Sequence, residues 1–225
     1  MKVVALETSG TRGSVALLDG ARLLAEHRLP ADERSARSLL PCLKAMLDEH
    51  GWRPTDVEMV GVTTGPGSFT GLRIGVVTAK TFAYATGAHL VGVHTLAAIA
   101  AGVGEAVGRL WTLLDAQRGE LFVATFAPGR HIADDDPPVT EILAVPRWMD
   151  GLNPGDVVAG PPLAKWRDQL PAGVIVADEA AWSPMAGATG RLTVEQFQRH
   201  GGVSPMELVP QYYRKSAAEE KAAKP

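Results

Sequence analysis

Cysteine is nearly absent from this 225-residue chain. Cys42 stands alone, so no internal disulfide can form and a reducing compartment, the cytoplasm, is expected. Metal-ligand spacing is missing too. The six histidines, at 27, 50, 89, 94, 131 and 200, make no His-x-x-x-His or His-x-x-His pair, which excludes the usual zinc and iron patterns. There is no run of about 18 apolar residues to span a bilayer; the Ala-rich 83–114 region is broken by His94, Glu105 and Arg109. Val3–Leu6, between Lys2 and Glu7, is too short for the apolar part of a signal peptide. No Gly-Lys-Ser/Thr closes a Walker loop and no Gly-x-Ser-x-Gly forms a nucleophile elbow. A basic stripe is also lacking: 22 Lys and Arg face 25 Asp and Glu, for a formal net charge of −3. A chain that grips nucleic acid alone is basic somewhere, so any such role is expected to need a partner.

What is present is ample material for a core. Hydrophobic residues make up 46% of the chain, and a chain this long buries roughly 70% of its unfolded surface. Val3–Leu6 reads as a strand buried on both faces. Ser14–Leu18 and Arg22–Leu29 follow as strands around the Asp19-Gly20 turn. Leu39, Leu40, Leu43, Met46 and Leu47 keep helical spacing up to a stop at His50-Gly51. Val57–Thr63 and Leu90–Val93 read as strands flanking a helix over Leu72–Thr86. The second half then restarts. Leu114-Asp115, followed by Arg118-Gly119 and a new strand at Leu121–Phe126, repeats Leu6-Glu7, Arg12-Gly13 and Ser14–Leu18, which suggests a duplicated lobe. Val157–Ala159 and Val174–Val176 read as further strands, and a late helix closes over Glu195–Gly201. The expected division is a first lobe over 1–104 and a smaller α/β lobe over 105–214, whose C-terminal segment returns to the first. A flexible tail over 215–225 follows. Asp134-Asp135-Asp136 is read as a solvated loop.

Three groups of residues bear on chemistry. Gly65-Pro66-Gly67-Ser68-Phe69-Thr70-Gly71 lies between a strand and a helix. Gly65 and Gly67 allow a tight turn, and the helix N–H groups behind Ser68 and Thr70 favour an anion such as phosphate. A plain strand-to-helix turn with a Ser or Thr cap explains the same residues. Gly71, Gly75, Ala79 and Ala83 recur every four residues and leave one helix face almost bare. With Leu39, Leu43, Met46 and Leu47 they predict a close helix seam, either a subunit interface or a contact with the chain's own sheet. Glu7 and Asp115, both at strand ends, form a pair that a metal or a nucleotide site between two lobes would use, but two acids alone are a weak signal.

Val3-Val4-Ala5-Leu6-Glu7-Thr8-Ser9, the 65–75 segment, Asp115–Glu120 and Pro210-Gln-Tyr-Tyr-Arg214 together resemble the TsaB (YeaZ) family over nearly the whole chain. That resemblance implies a two-lobed actin-like, RNase H-like α/β fold of the ATPase superfamily. It implies a part in making threonylcarbamoyladenosine beside the anticodon of tRNAs that read ANN codons. The part is that of a non-catalytic dimerisation subunit, which pairs with the metal-binding paralogue TsaD and with the ATPase TsaE. The expectation is a homodimer when isolated, tRNA met only through the complex, no cofactor required of this chain, and ATP binding, if any, at low affinity or in the assembled complex. Two departures weaken any catalytic role. Glu7 stands where the family usually has Asp, moving the carboxylate by ~1.5 Å, and Ser35-Ala36 stand where His-Ser is frequent. The rival expectation is a nucleotide-dependent ATPase or kinase using Glu7, Asp115 and the glycine loop; a metallopeptidase lacks its ligands.

Overall fold

The structure, a computed structural model, describes residues 1–30, 35–104, 106–129, 132 and 137–214. The Asp134-Asp135-Asp136 run and the 215–225 tail lie outside the described residues, as does the side chain of Ser35. In chain order the strands are β1 (Lys2–Glu7), β2 (Ser14–Asp19), β3 (Arg22–Arg28), β4 (Met59–Gly65), β5 (His89–His94), β6 (Leu110–Gln117), β7 (Glu120–Phe126), β8 (Thr140–Ala144), β9 (Val157–Ala159) and β10 (Ile175–Val176). The helices are α1 (Ser35–Glu49), α2 (Phe69–Thr86), α3 (Thr95–Val103), α4 (Val145–Asp150), α5 (Leu163–Trp166) and α6 (Ala186–His200).

Two sheets share one plan. The first runs β3-β2-β1-β4-β5, with β1, β2 and β3 antiparallel and β4 and β5 parallel to β1. The second runs β8-β7-β6-β9-β10 with the same pattern, β6 and β7 repeating the hairpin of β1 and β2. The repeated Arg-Gly turns of the sequence fall at the tips of these two hairpins.

Helices cover the first sheet on both faces, which is why β1 is apolar throughout. Val4 and Leu6, with Val15, Leu17, Val60 and Val62, pack under α1 and α2. Val3 and Ala5, with Ala16 and Leu18, pack on the opposite side with α3 and α6. Helix α6 follows the second sheet in sequence yet lies on the first. Its start is fixed by Ala186 N–H donating to Ser14 Oγ (2.9 Å) and Gly187 N–H donating to Glu26 Oε1 (2.6 Å). It lies very close: a Cβ on Gly61 would fall 1.8 Å from Thr193 Oγ1. The same core continues into the second sheet through Leu110, Leu114, Phe122 and Phe126. The far face of that sheet packs on Trp148 of α4 and Leu163 of α5.

Beyond α6, residues 201–214 return across the first lobe. Val203 N–H donates to Leu90 O (2.8 Å) and Gln211 N–H donates to Thr64 O (2.8 Å). Leu208 is buried against Gly92.

Candidate functional site: the crevice between the lobes and the outer helix face

β1 and β4 lie side by side, and their connections leave in opposite directions, to β2 and to β5; the carboxyl ends at such a switch point are where α/β folds place their ligands. Glu7 ends β1 and is fully buried there. Its Oε1 accepts from Ser9 N–H (2.6 Å) and from Ser9 Oγ, while Oε2 has no partner among the described residues. Burial pushes the carboxyl up to about 7, against the hydrogen bonds from Ser9, Gly10 and Thr63. Asp115 is placed differently. It is exposed, and its Oδ1 accepts from Gln117 N–H (2.7 Å) within its own hairpin. No hydrogen bond joins the two carboxylates, and among the described residues no three His, Cys, Asp or Glu side chains cluster as metal ligands.

The glycine loop meets its own chain at close range. A Cβ on Gly67 would lie 2.6 Å from Ser9 O, and one on Gly65 would lie 2.3 Å from Gln211 O. Both glycines have positive φ, 156° and 138°. Ser68 N–H donates to Ser9 O (2.7 Å), and Ser68 Oγ caps α2 by accepting from Gly71 N–H (3.2 Å). Ser68 and Thr70 remain exposed. The helix begins at Phe69, three residues earlier than its apolar pattern suggested, because the cap is Ser68.

The small-residue stripe requires a correction. Gly71, Gly75, Ala79 and Ala83 are all buried, as are Leu39, Leu43, Met46 and Leu47. The stripe faces the turn after β1: a Cβ on Gly71 would lie 2.0 Å from Thr8 O, and one on Gly75 would lie 2.2 Å from Thr8 Oγ1. Thr8 Oγ1 in turn donates to Gly71 O (2.8 Å). These eight residues therefore seat α1 and α2 on their own sheet and are not a partner-facing surface. The side chains that do project outward from this pair of helices are others. Leu40 on α1 is 57% exposed, and Val77 and Tyr84 on α2 are 61% and 73% exposed. Val77 and Tyr84 are two turns apart on one face, a spacing readable in the sequence but overshadowed by the glycines.

His94, one of the histidines without ligand spacing, is a buried cap of α3, whose Nδ1 accepts from Leu96 N–H (3.2 Å). Burial lowers its pKa to about 3. With Nδ1 accepting, the neutral ring carries its proton on Nε2, which donates toward Tyr213 Oη (2.9 Å) and Thr140 Oγ1 (3.2 Å). At the second hairpin tip, Gln117 and Arg118 adopt left-handed φ of 67° and 59°, uncommon for residues other than glycine.

The family profile described as TsaD, tRNA N6-adenosine threonylcarbamoyltransferase, matches residues 30–157, more than half of the chain. The tRNA threonylcarbamoyladenosine biosynthesis protein TsaB of Escherichia coli (strain K12) is 27% identical over 227 residues, covering 98% of each chain. YeaZ from Pseudomonas aeruginosa superposes with a TM-score of 0.75 at 26% identity, covering 94% of this chain and 99% of that one. The chain belongs to the TsaB (YeaZ) family. The profile match takes in α1, the glycine loop, α2 and most of the second sheet, while Glu7 lies outside it. The fold class is confirmed: this is the two-lobed actin-like α/β architecture. The ethanolamine utilization protein EutJ from Carboxydothermus hydrogenoformans shares that fold, with a TM-score of 0.52 at 12% identity. Among the described residues no helix is long and apolar enough to cross a membrane.

Proposed function

We propose that this TsaB-family chain serves threonylcarbamoyladenosine formation on tRNA as a non-catalytic pairing subunit. Its outer α1–α2 face meets TsaD, the isolated chain uses the same face for a homodimer, and TsaE and tRNA are reached only in the assembly. The observation that carries this reading is the contrast between that face and the crevice. Leu40 on α1, and Val77 and Tyr84 two turns apart on α2, stand out from the surface, and exposed aromatic and aliphatic side chains of this kind serve as interface anchors. The groups that could do chemistry are engaged within the chain: Glu7 with Ser9, Asp115 with Gln117, and the loop N–H of Ser68 with Ser9. No cofactor is assigned to this chain; ATP binds weakly, or in the assembled complex.

The test uses Val77→Glu and Tyr84→Ala, assayed by calorimetric titration with TsaD and by thermal melting. Removing a central aromatic anchor costs about 2 kcal/mol or more, some 30-fold in affinity. Each variant should still fold, since both side chains are exposed, with melting altered only by loss of the homodimer's concentration dependence. Full affinity in both variants would put the pairing face elsewhere. ATP turnover by the isolated chain, abolished by Glu7→Ala, would replace this reading with the ATPase or kinase one.

A further inference from the structure

The side chains of the Pro210–Arg214 motif reach both lobes. Gln211 lies at the end of β4, its N–H bonded to Thr64 O and its carbonyl against Gly65. Tyr212 stacks on Phe69 at the start of α2 (ring centroids 4.3 Å) and accepts from Arg73 Nε (3.0 Å). Tyr213 stands at the junction. Its hydroxyl meets His94 of the first lobe, and its ring meets Phe122 of the second edge-on (6.2 Å). Thr140, at the start of β8, joins the same histidine. Arg214 ends the path on the second hairpin, donating to Ala116 O, to Gln117 O and to Glu120 Oε2. Further back, Lys80 Nζ holds Leu208 O (2.9 Å).

We propose that residues 208–214 form an interlobe clasp: a strap lying across the carboxyl end of β4 that ties the glycine loop of the first lobe to the second hairpin and holds the two in one relative position. The two attachments are energetically linked. Releasing Tyr213 and Arg214 from the second lobe loosens Gln211 and Tyr212 on the first, freeing the backbone that presses on Gly65 and the ring that covers Phe69. The strained Gln117-Arg118 turn is held by the same arginine, so the clasp also fixes that hairpin.

The clasp predicts communication across the lobes, read by amide hydrogen exchange on the full chain. Arg214→Ala touches only the second hairpin. It should nevertheless speed exchange at the Ser68 and Gln211 amides, in the first lobe, by roughly 10- to 100-fold, the range for losing a charge-assisted hydrogen bond. Tyr213→Phe, a gentler change that removes only the hydroxyl, should act in the same direction and to a smaller degree. Phe69→Leu, on the first lobe, should speed exchange at the Gln117 amide. Central amides of β1 should keep their protection throughout, because the opening is local. Changes confined to the mutated side would overturn the proposal and leave independent contacts. A parallel loss of protection in β1 would also overturn it, since the strap would then be part of the global fold and not a clasp.

Discussion

Burial disfavours the charged forms of two groups in this fold, and their titrations oppose one another. Glu7 is raised from 4.5 to about 7 and His94 is lowered from 6.5 to about 3, each mainly by burial. For Glu7 the folded state keeps a proton that the unfolded chain releases above pH 4.5. Its contribution to stability is therefore complete below that point and lost as pH rises towards 7. At about 1.4 kcal/mol per unit, the loss amounts to about 3 kcal/mol. For His94 the folded state refuses a proton that the unfolded chain takes up below pH 6.5, so stability falls as pH drops from 6.5 towards 3. Between pH 4.5 and 6.5 the two slopes cancel, and the natural chain should show nearly constant stability from this pair. Glu7→Gln preserves an acceptor for Ser9 and removes the acid titration. Urea unfolding of both proteins from pH 4.5 to 8 tests this. The variant should gain about 3 kcal/mol relative to the natural chain across that range, and on its own it should rise by about 1.4 kcal/mol per unit up to pH 6.5. A difference between the two that does not change with pH would refute the neutral Glu7.

Three further outcomes follow from the packing and charge. Gly71→Ala would place its Cβ 2.0 Å from Thr8 O, so urea unfolding should show a loss of at least ~1–3 kcal/mol; unchanged stability would mean that the turn after β1 yields freely. Ala79→Leu overfills a fully buried position and should lower the melting temperature while leaving TsaD affinity intact, the reverse of Val77→Glu. With its net charge of −3, the isolated chain should bind tRNA no better than about 10⁻⁴ to 10⁻⁶ M at physiological salt, and nanomolar binding in a filter assay would contradict a role through partners alone.

Sequence pattern and structure part company where distance along the chain matters. Val3–Leu6 could be read as a doubly covered strand because covering both faces leaves no polar alternation to find. Helix α3 escaped that reading for a related reason: Thr95–Ala100 is buried all round, so no amphipathic period marks it. The late helix closes where the sequence puts it, at His200-Gly201, but its start at Ala186 is not legible, because Gly187 and Gly190 look like breakers in sequence. In the fold they are contact points: a Cβ on Gly190 would lie 2.3 Å from Leu18 Cδ1, and Gly187 N–H is held by Glu26. Strand β8 was missed since Thr140–Ala144 is only partly covered and its alternation is weak.

The glycine loop shows the limit most plainly. A run such as Gly-Pro-Gly-Ser-Phe-Thr-Gly states that something approaches the backbone closely, and that much is true at every one of its glycines. What approaches is not written locally: Ser9 lies 58 residues before Gly67 and Gln211 lies 146 residues after Gly65. The same steric demand would serve a phosphate, a second subunit or the chain's own strap. Here the stripe behind the loop is buried against Thr8 and the first sheet, so it is a seat for α2. The apolar side chains exposed on these two helices are then ones the small-residue pattern does not mark, Leu40, Val77 and Tyr84. A period-four run of small side chains thus locates a tight contact, and only the fold decides on which side of the molecular surface it falls.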